Sequence, residues 1–117
     1  MISKHFKRSE FQCKCGTCGH NAVDVELLKV LEDVREHFGR PVIINSANRC
    51  PEHNKRVGGA SKSTHLRGIA ADIRVKDVAP VIVHAYLTEK YKGKYGIGKY
   101  NTFTHIDVRP TESRWNG

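Results

Sequence analysis

The sequence predicts a single α+β domain: an antiparallel sheet with helices packed on one side and a polar site on the open face. Two observations predict it. One long stretch, from Asp24 to Phe38, repeats its apolar residues at helical spacing. Several short β-branched runs, at 41–45, 69–75, 95–100 and 103–108, are bounded by turn formers. No internal repeat, low-complexity tract or linker divides the 117 residues, a length that buries one modest core. The domain is therefore read as 1–117.

Residues 1–22 carry neither period and are rich in Lys, Cys, Gly and Ser, so they read as an irregular, cysteine-containing arm. In the helix that follows, Leu27, Leu31, Val34 and Phe38 form the stripe, with Leu28 and Val30 widening it. Asp24 is the expected N-cap and Gly39 the stop. Pro41–Asn45 reads as a buried strand, and Pro51 opens a short helix through Arg56. Ile69–Val75 alternates, with Ile69, Ala71, Ile73 and Val75 on one face and Ala70, Asp72 and Arg74 on the other. Asp77 is expected to cap a second helix running to about Tyr91, its inner side made of Val78, Ile82, Ala85, Tyr86 and Leu87. Tyr95–Tyr100 and Phe103–Val108 read as two strands joined at Asn101-Thr102. In the second, Phe103, His105, Asp107 and Arg109 share one face, opposite Thr104, Ile106 and Val108.

Lys and Arg number 20 against 12 Asp and Glu, a formal charge of +8. Such a surface steers polyanions, nucleic acid or an anionic bacterial wall alike, and says nothing of fold. No groove-reading helix or series of stacking aromatics accompanies it, so no nucleic-acid partner is expected. No apolar run reaches a membrane span, and the N-terminal stretch lacks the apolar core of a signal peptide. A monomer is expected. Cys13, Cys15 and Cys18, with His20 and the distant Cys50, fit either a closed structural zinc site or a disulfide to Cys50. The spacing is poor for a zinc ribbon, which makes a second zinc at this cluster the lesser expectation.

The chemistry gathers in Ser61–Asp72 and Phe103–Asp107. His65, Asp72 and His105 offer two imidazoles and a carboxylate, the donor set of a catalytic zinc that keeps one position open. His5, His37 and His84 have no such companions and read as ordinary solvated or satisfied residues, and His53 lies upstream of both stretches, in a loop between two candidate functional segments. Ser63-x-His65-x-x-Gly68-x-Ala70-x-Asp72 resembles the first zinc motif of the D-alanyl-D-alanine carboxypeptidase family of zinc metallopeptidases. Phage endolysins that cut the L-alanyl-D-glutamate bond belong to the same family. Asn45–Asn54 with Val57-Gly-Gly59 is similar to that family's upstream segment, and Phe103–Arg109 to its second zinc motif. The resemblance covers roughly residues 40–110 in the family's order.

The resemblance implies one catalytic Zn²⁺ on His65, Asp72 and His105, and an Arg49 that binds substrate or stabilises a developing oxyanion. Ser63 is placed by it near the substrate. Many relatives carry a catalytic acid three residues before the last zinc histidine, where this chain has Thr102. Asp107 is then the expected proton carrier, with two readings beside it: an acceptor that orients a ligand imidazole, or a ligand itself. The implied activity is hydrolysis of peptidoglycan stem peptides or cross-links. Synthesis without a signal peptide and action at the bacterial wall suit a phage or prophage lysin. The alternative is a zinc-containing wall-binding module with weak catalysis, as in the hedgehog-type relatives of this fold.

Overall fold

The computed structural model describes residues 2–13, 23–47 and 69–117. Among them, a 3-10 turn (Arg8–Phe11) precedes helix α1 (Val25–Phe38), strands β1 (Val42–Ser46) and β2 (Ala70–Val75), and helix α2 (Pro80–Lys90). Strands β3 (Gly96–Lys99), β4 (Thr104–Asp107) and β5 (Ser113–Asn116) follow. The five strands form one sheet in the order β1-β2-β4-β3-β5. Pairings β1–β2, β2–β4 and β3–β4 are antiparallel, and β3–β5 is parallel. The α+β class is as expected, and β5 makes the sheet mixed rather than wholly antiparallel.

Helix α1 begins and ends where its sequence says. The Asp24 side chain accepts a hydrogen bond from the Glu26 N–H at 2.8 Å, satisfying one of the donors that a helix start leaves open. Gly39 takes the left-handed conformation (φ 62°, ψ 25°) that a side chain would resist, and its N–H closes on Arg35 O. Leu27, Val30, Leu31 and Val34 are buried along the inner stripe. They meet Val42 and Ile44 of β1, Ala71, Ile73 and Val75 of β2, Ile97 of β3 and Ile106 of β4 in one core. Phe6 and Phe11 complete it, both essentially inaccessible. Within the described residues, then, two aromatic rings anchor the N-terminal stretch. Cys13 is buried, and Cys15, Cys18 and Cys50 lie outside the described residues, as does the helix expected from Pro51.

Helix α2 departs from its sequence reading in two ways. Asp77 does not cap it: Asp77 sits at φ 63° in a tight turn closed by Val78 N–H to Val75 O, and Ala79 is the N-cap, with Pro80 opening the helix. Aspartate tolerates the left-handed region, and proline needs no donor at a first helical position, so the turn and the helix start divide the work. The inner side is Val83 and Leu87, with Val78 and Tyr86 partly buried against the core, whereas Ala85 faces solvent and Ile82 is 53% exposed. Val81, Ile82 and Val83 put apolar side chains all round the first turns, so periodicity could not fix which face turns inward. Both helices are joined through Asp33, which accepts from Tyr86 Oη (2.9 Å), Tyr91 Oη (3.0 Å) and Lys90 Nζ (2.5 Å).

Strand alternation gives the sheet its two faces. Ala71, Ile73, Ile97 and Ile106 point into the helical core, so Asp72, His105, Asp107, Gly96 and Gly98 lie on the other face. The chain passes from β4 to β5 beneath the start of β3, held there by Tyr95. Its N–H donates to Arg109 O, and its carbonyl accepts from Ser113 N–H and the Arg114 guanidinium. That crossing is what lets β5 lie parallel to β3.

Candidate metal centre

Register aligns the site residues into two rows across the sheet. In the first, Ser46 pairs with Asp72, Asp72 with His105, His105 with Gly98, and Gly98 with Trp115. In the second, Ala70 pairs with Asp107, Asp107 with Gly96, and Gly96 with Ser113. Residues two apart on a strand share a face, so His105 and Asp107 stand side by side and Asp72 stands opposite His105.

The imidazole of His105 lies between two carboxylates. Its Nδ1 is 2.9 Å from Asp72 Oδ1 and its Nε2 is 2.7 Å from Asp107 Oδ2. All three residues are buried, Asp107 completely. Asp107 is further held by Arg109, whose Nε and Nη2 each donate to one of its oxygens at 2.8 Å, and by the N–H groups of Arg109 and Gly96, both 3.2 Å from Oδ1. This is the two-toothed guanidinium–carboxylate geometry that fixes orientation as well as charge.

The electrostatics follow from these partners. Burial opposes ionisation of Asp107, but the hydrogen bonds from His105 and Arg109 and their charges outweigh it and hold its pKa far below the usual carboxylate range. Burial likewise disfavours a charged His105, yet the hydrogen bonds and charges of Asp107 and Asp72 raise its pKa above that of an ordinary imidazole. A neutral ring has one N–H to give and cannot satisfy two carboxylates. A ring carrying a second proton meets both, and so does a neutral ring that shares a cation with Asp72. A carboxylate oxygen beside an imidazole nitrogen, with the ring's far nitrogen donating to a second carboxylate, is the donor chemistry that zinc takes. The residues present therefore fit a zinc ion on the Asp72 side of His105. Among the described residues no group of three His, Cys, Asp or Glu side chains would by itself close around a metal.

Of the residues singled out in the sequence, the fold brings Asp72, His105 and Asp107 together. His65, Arg49 and Ser63 lie outside the described residues. The other described histidines are elsewhere. His5 Nδ1 is 2.6 Å from Glu32 on α1, and His37 stacks on Tyr86 at 3.8 Å. His84, on α2, has its pKa lowered by burial and by the charges of Lys99 and Arg114.

Sequence reasoning placed Arg109 on this face without its grip on Asp107, and missed Gly96, Gly98 and Trp115 as parts of it. A Cβ on Gly96 would stand 2.7 Å from Asp107 Oδ1 and 2.6 Å from Arg109 Nε, so its hydrogen is what admits the clamp. Two glycines alternating in one strand are a legible sign of close approach from neighbouring strands. A family described as Peptidase M15 matches residues 4–107, a span that includes Asp72 and His105 and stops short of β5. No curated protein matches the chain.

Proposed function

Because the chain belongs to the Peptidase M15 family, we propose that it is a zinc peptidase of peptidoglycan stem peptides or cross-links, with the ion held by His65, Asp72 and His105. The observation that carries this reading is the buried pair of Asp72 and His105, paired in register on neighbouring strands, with His105 Nε2 secured by Asp107. A zinc ion there supplies Lewis acidity toward a scissile carbonyl and acidifies a water molecule near neutral pH. His105 gives its Nδ1 to that ion only if its proton stays on Nε2, and Asp107 keeps it there.

The sequence left Asp107 three roles. Complete burial and the Arg109 fork support the orienting role, since a carboxylate so enclosed and so held is poorly placed to take a proton from water. In this reading Asp107 is a positioning residue for the imidazole and Arg109 locks it. Arg49 binds a substrate carboxylate or a developing oxyanion, and Ser63 hydrogen-bonds substrate beside it, both carried over from the motif. The charge of +8 favours adhesion to an anionic wall. No described helix is long and apolar enough to cross a membrane. Delivery to the wall as a phage or prophage lysin is part of the proposal.

The test is metal content and clearing of purified peptidoglycan by wild type, Asp72→Ala and His105→Ala. Wild type should carry zinc and clear the wall, and each variant should lose one zinc equivalent and the clearing. Zinc uptake with no cleavage of any stem peptide would establish the wall-binding module instead.

A further inference from the structure

We infer that Trp115, on β5, is a positioning residue of the metal centre: its indole fences the His105 imidazole and completes a closed circuit of contacts around it. The inference rests on the zinc reading above. Trp115 is the chain's single tryptophan, and it falls in the same register row as Asp72, His105 and Gly98. Its ring centre is 5.0 Å from that of His105, the planes tilted by 50°.

The close approach depends on Gly98, which lies between them. A Cβ there would stand 2.5 Å from the indole Cε2, so the ring lies across a strand that offers no side chain. The indole is anchored at both ends. Its Nε1 donates to Tyr100 Oη at 3.0 Å, and the Tyr100 ring stacks on Phe103 with centres 4.4 Å apart. On the other side, the Arg109 guanidinium carbon lies 5.3 Å from the indole centre. That same guanidinium grips Asp107, and Asp107 holds His105 Nε2. The circuit runs His105, Asp107, Arg109, Trp115 and back to His105.

What the circuit supplies is orientation. The outer torsion of histidine is broad, so an unsupported ring samples rotations that carry Nδ1 away from Asp72. The indole occupies the space such a rotation needs. It also shields the His105–Asp107 hydrogen bond from water, which strengthens it. Removing the wall leaves the ligands in place but loosens one of them, so the effect is read in metal affinity rather than in the fold.

The experiment measures Zn²⁺ affinity by competition with a chromophoric chelator, counting only the equivalent that His105→Ala abolishes. The variants are Trp115→Ala, Trp115→Phe and Gly98→Ala, with circular dichroism to confirm folding. Trp115→Ala should weaken Zn²⁺ by about tenfold, the lower end of losses from outer-shell partners, and Trp115→Phe should restore most of it. Gly98→Ala keeps the tryptophan but displaces it, and should weaken Zn²⁺ to a similar degree. In wild type, Co²⁺ bound at this equivalent should quench Trp115 fluorescence, and should not in His105→Ala. Wild-type affinity in both Trp115→Ala and Gly98→Ala, or Co²⁺ uptake without quenching, overturns the role of Trp115 and leaves the zinc reading standing. A wild type with no His105-dependent metal overturns both.

Discussion

Replacing Asp107 by asparagine removes one charge, almost no volume, and the acceptor that faces His105. In the native arrangement Oδ2 accepts from both His105 Nε2 and Arg109 Nη2, while Oδ1 accepts from Arg109 Nε and two backbone N–H groups. An asparagine can keep its oxygen on only one of these sides. If the oxygen stays with the three donors at Oδ1, an NH₂ group confronts His105 and Arg109. His105 can then answer only by accepting at Nε2, which moves its proton to Nδ1, the nitrogen that the proposed metal would need. Breaking a fully buried ion pair costs about 3–5 kcal/mol. Arg109 is partly exposed and regains water, so about 2–3 kcal/mol is expected for Asp107→Asn. Zinc affinity should fall by about 10–100-fold through the tautomer change. Urea unfolding of the metal-free protein reads the first quantity, and chelator competition reads the second. A variant with unchanged urea midpoint and unchanged zinc affinity, yet no peptide cleavage, would refute this reasoning and return Asp107 to the role of proton carrier.

Gly96→Ala should act on the same clamp from the other side, pressing a methyl against Asp107 and Arg109. We expect a loss of about 1–3 kcal/mol in urea unfolding, together with weaker zinc binding. Leu31→Ala, at the centre of the α1 stripe, should cost about 2–5 kcal/mol. Ile82→Ala, on the outer face of α2, should fall within about 0.5 kcal/mol of wild type, and similar losses at both positions would contradict the assigned phase of α2. The pKa of Asp33 is held down: burial raises it, but hydrogen bonds from Lys90, Tyr86 and Tyr91 outweigh that. Its contribution is therefore complete above an unfolded aspartate's pKa of about 3.9 and is lost as pH falls through the lower folded value. Asp33→Asn should lower thermal stability at pH 7, and the gap from wild type should narrow as the pH drops toward 3.

How much of this was legible varies with the physics of each element. Helix α1 was readable to its ends, because Asp24, the Leu27–Leu31–Val34 stripe and Gly39 all point to the same boundaries. The strands carrying Asp72 and His105 were readable because alternation assigns faces, and burial of one face leaves no freedom in register. Alternation assigns a face but not a distance, which is why Asp107 could be placed beside His105 without its role being settled. The phase of α2 was hidden by apolar residues on every side of its first turns. Strand β5 was hidden for the opposite reason. Ser113-Arg-Trp-Asn116 has no apolar alternation, and its pairing rests on β3 and on the crossing at Tyr95.

The two glycines of β3 have a consequence for refolding. They strip the strand between β4 and β5 of bulk on the site face, so the alignment of β5 rests on the seat of Trp115 over Gly98 and on the bonds of Ser113 and Arg114 to Tyr95. Losing these would permit a one-residue slip. Such a slip would turn Arg114 toward His105 and send Trp115 to the opposite face. A polypeptide misaligned in this way keeps most of its helices and its core, and passes any assay of secondary structure. It would present a guanidinium beside His105 where the indole belongs. On the zinc reading, metal affinity therefore reports an alignment that secondary structure does not: a chain whose last strand sits one residue out of place lacks the indole beside His105 and should bind the ion more weakly.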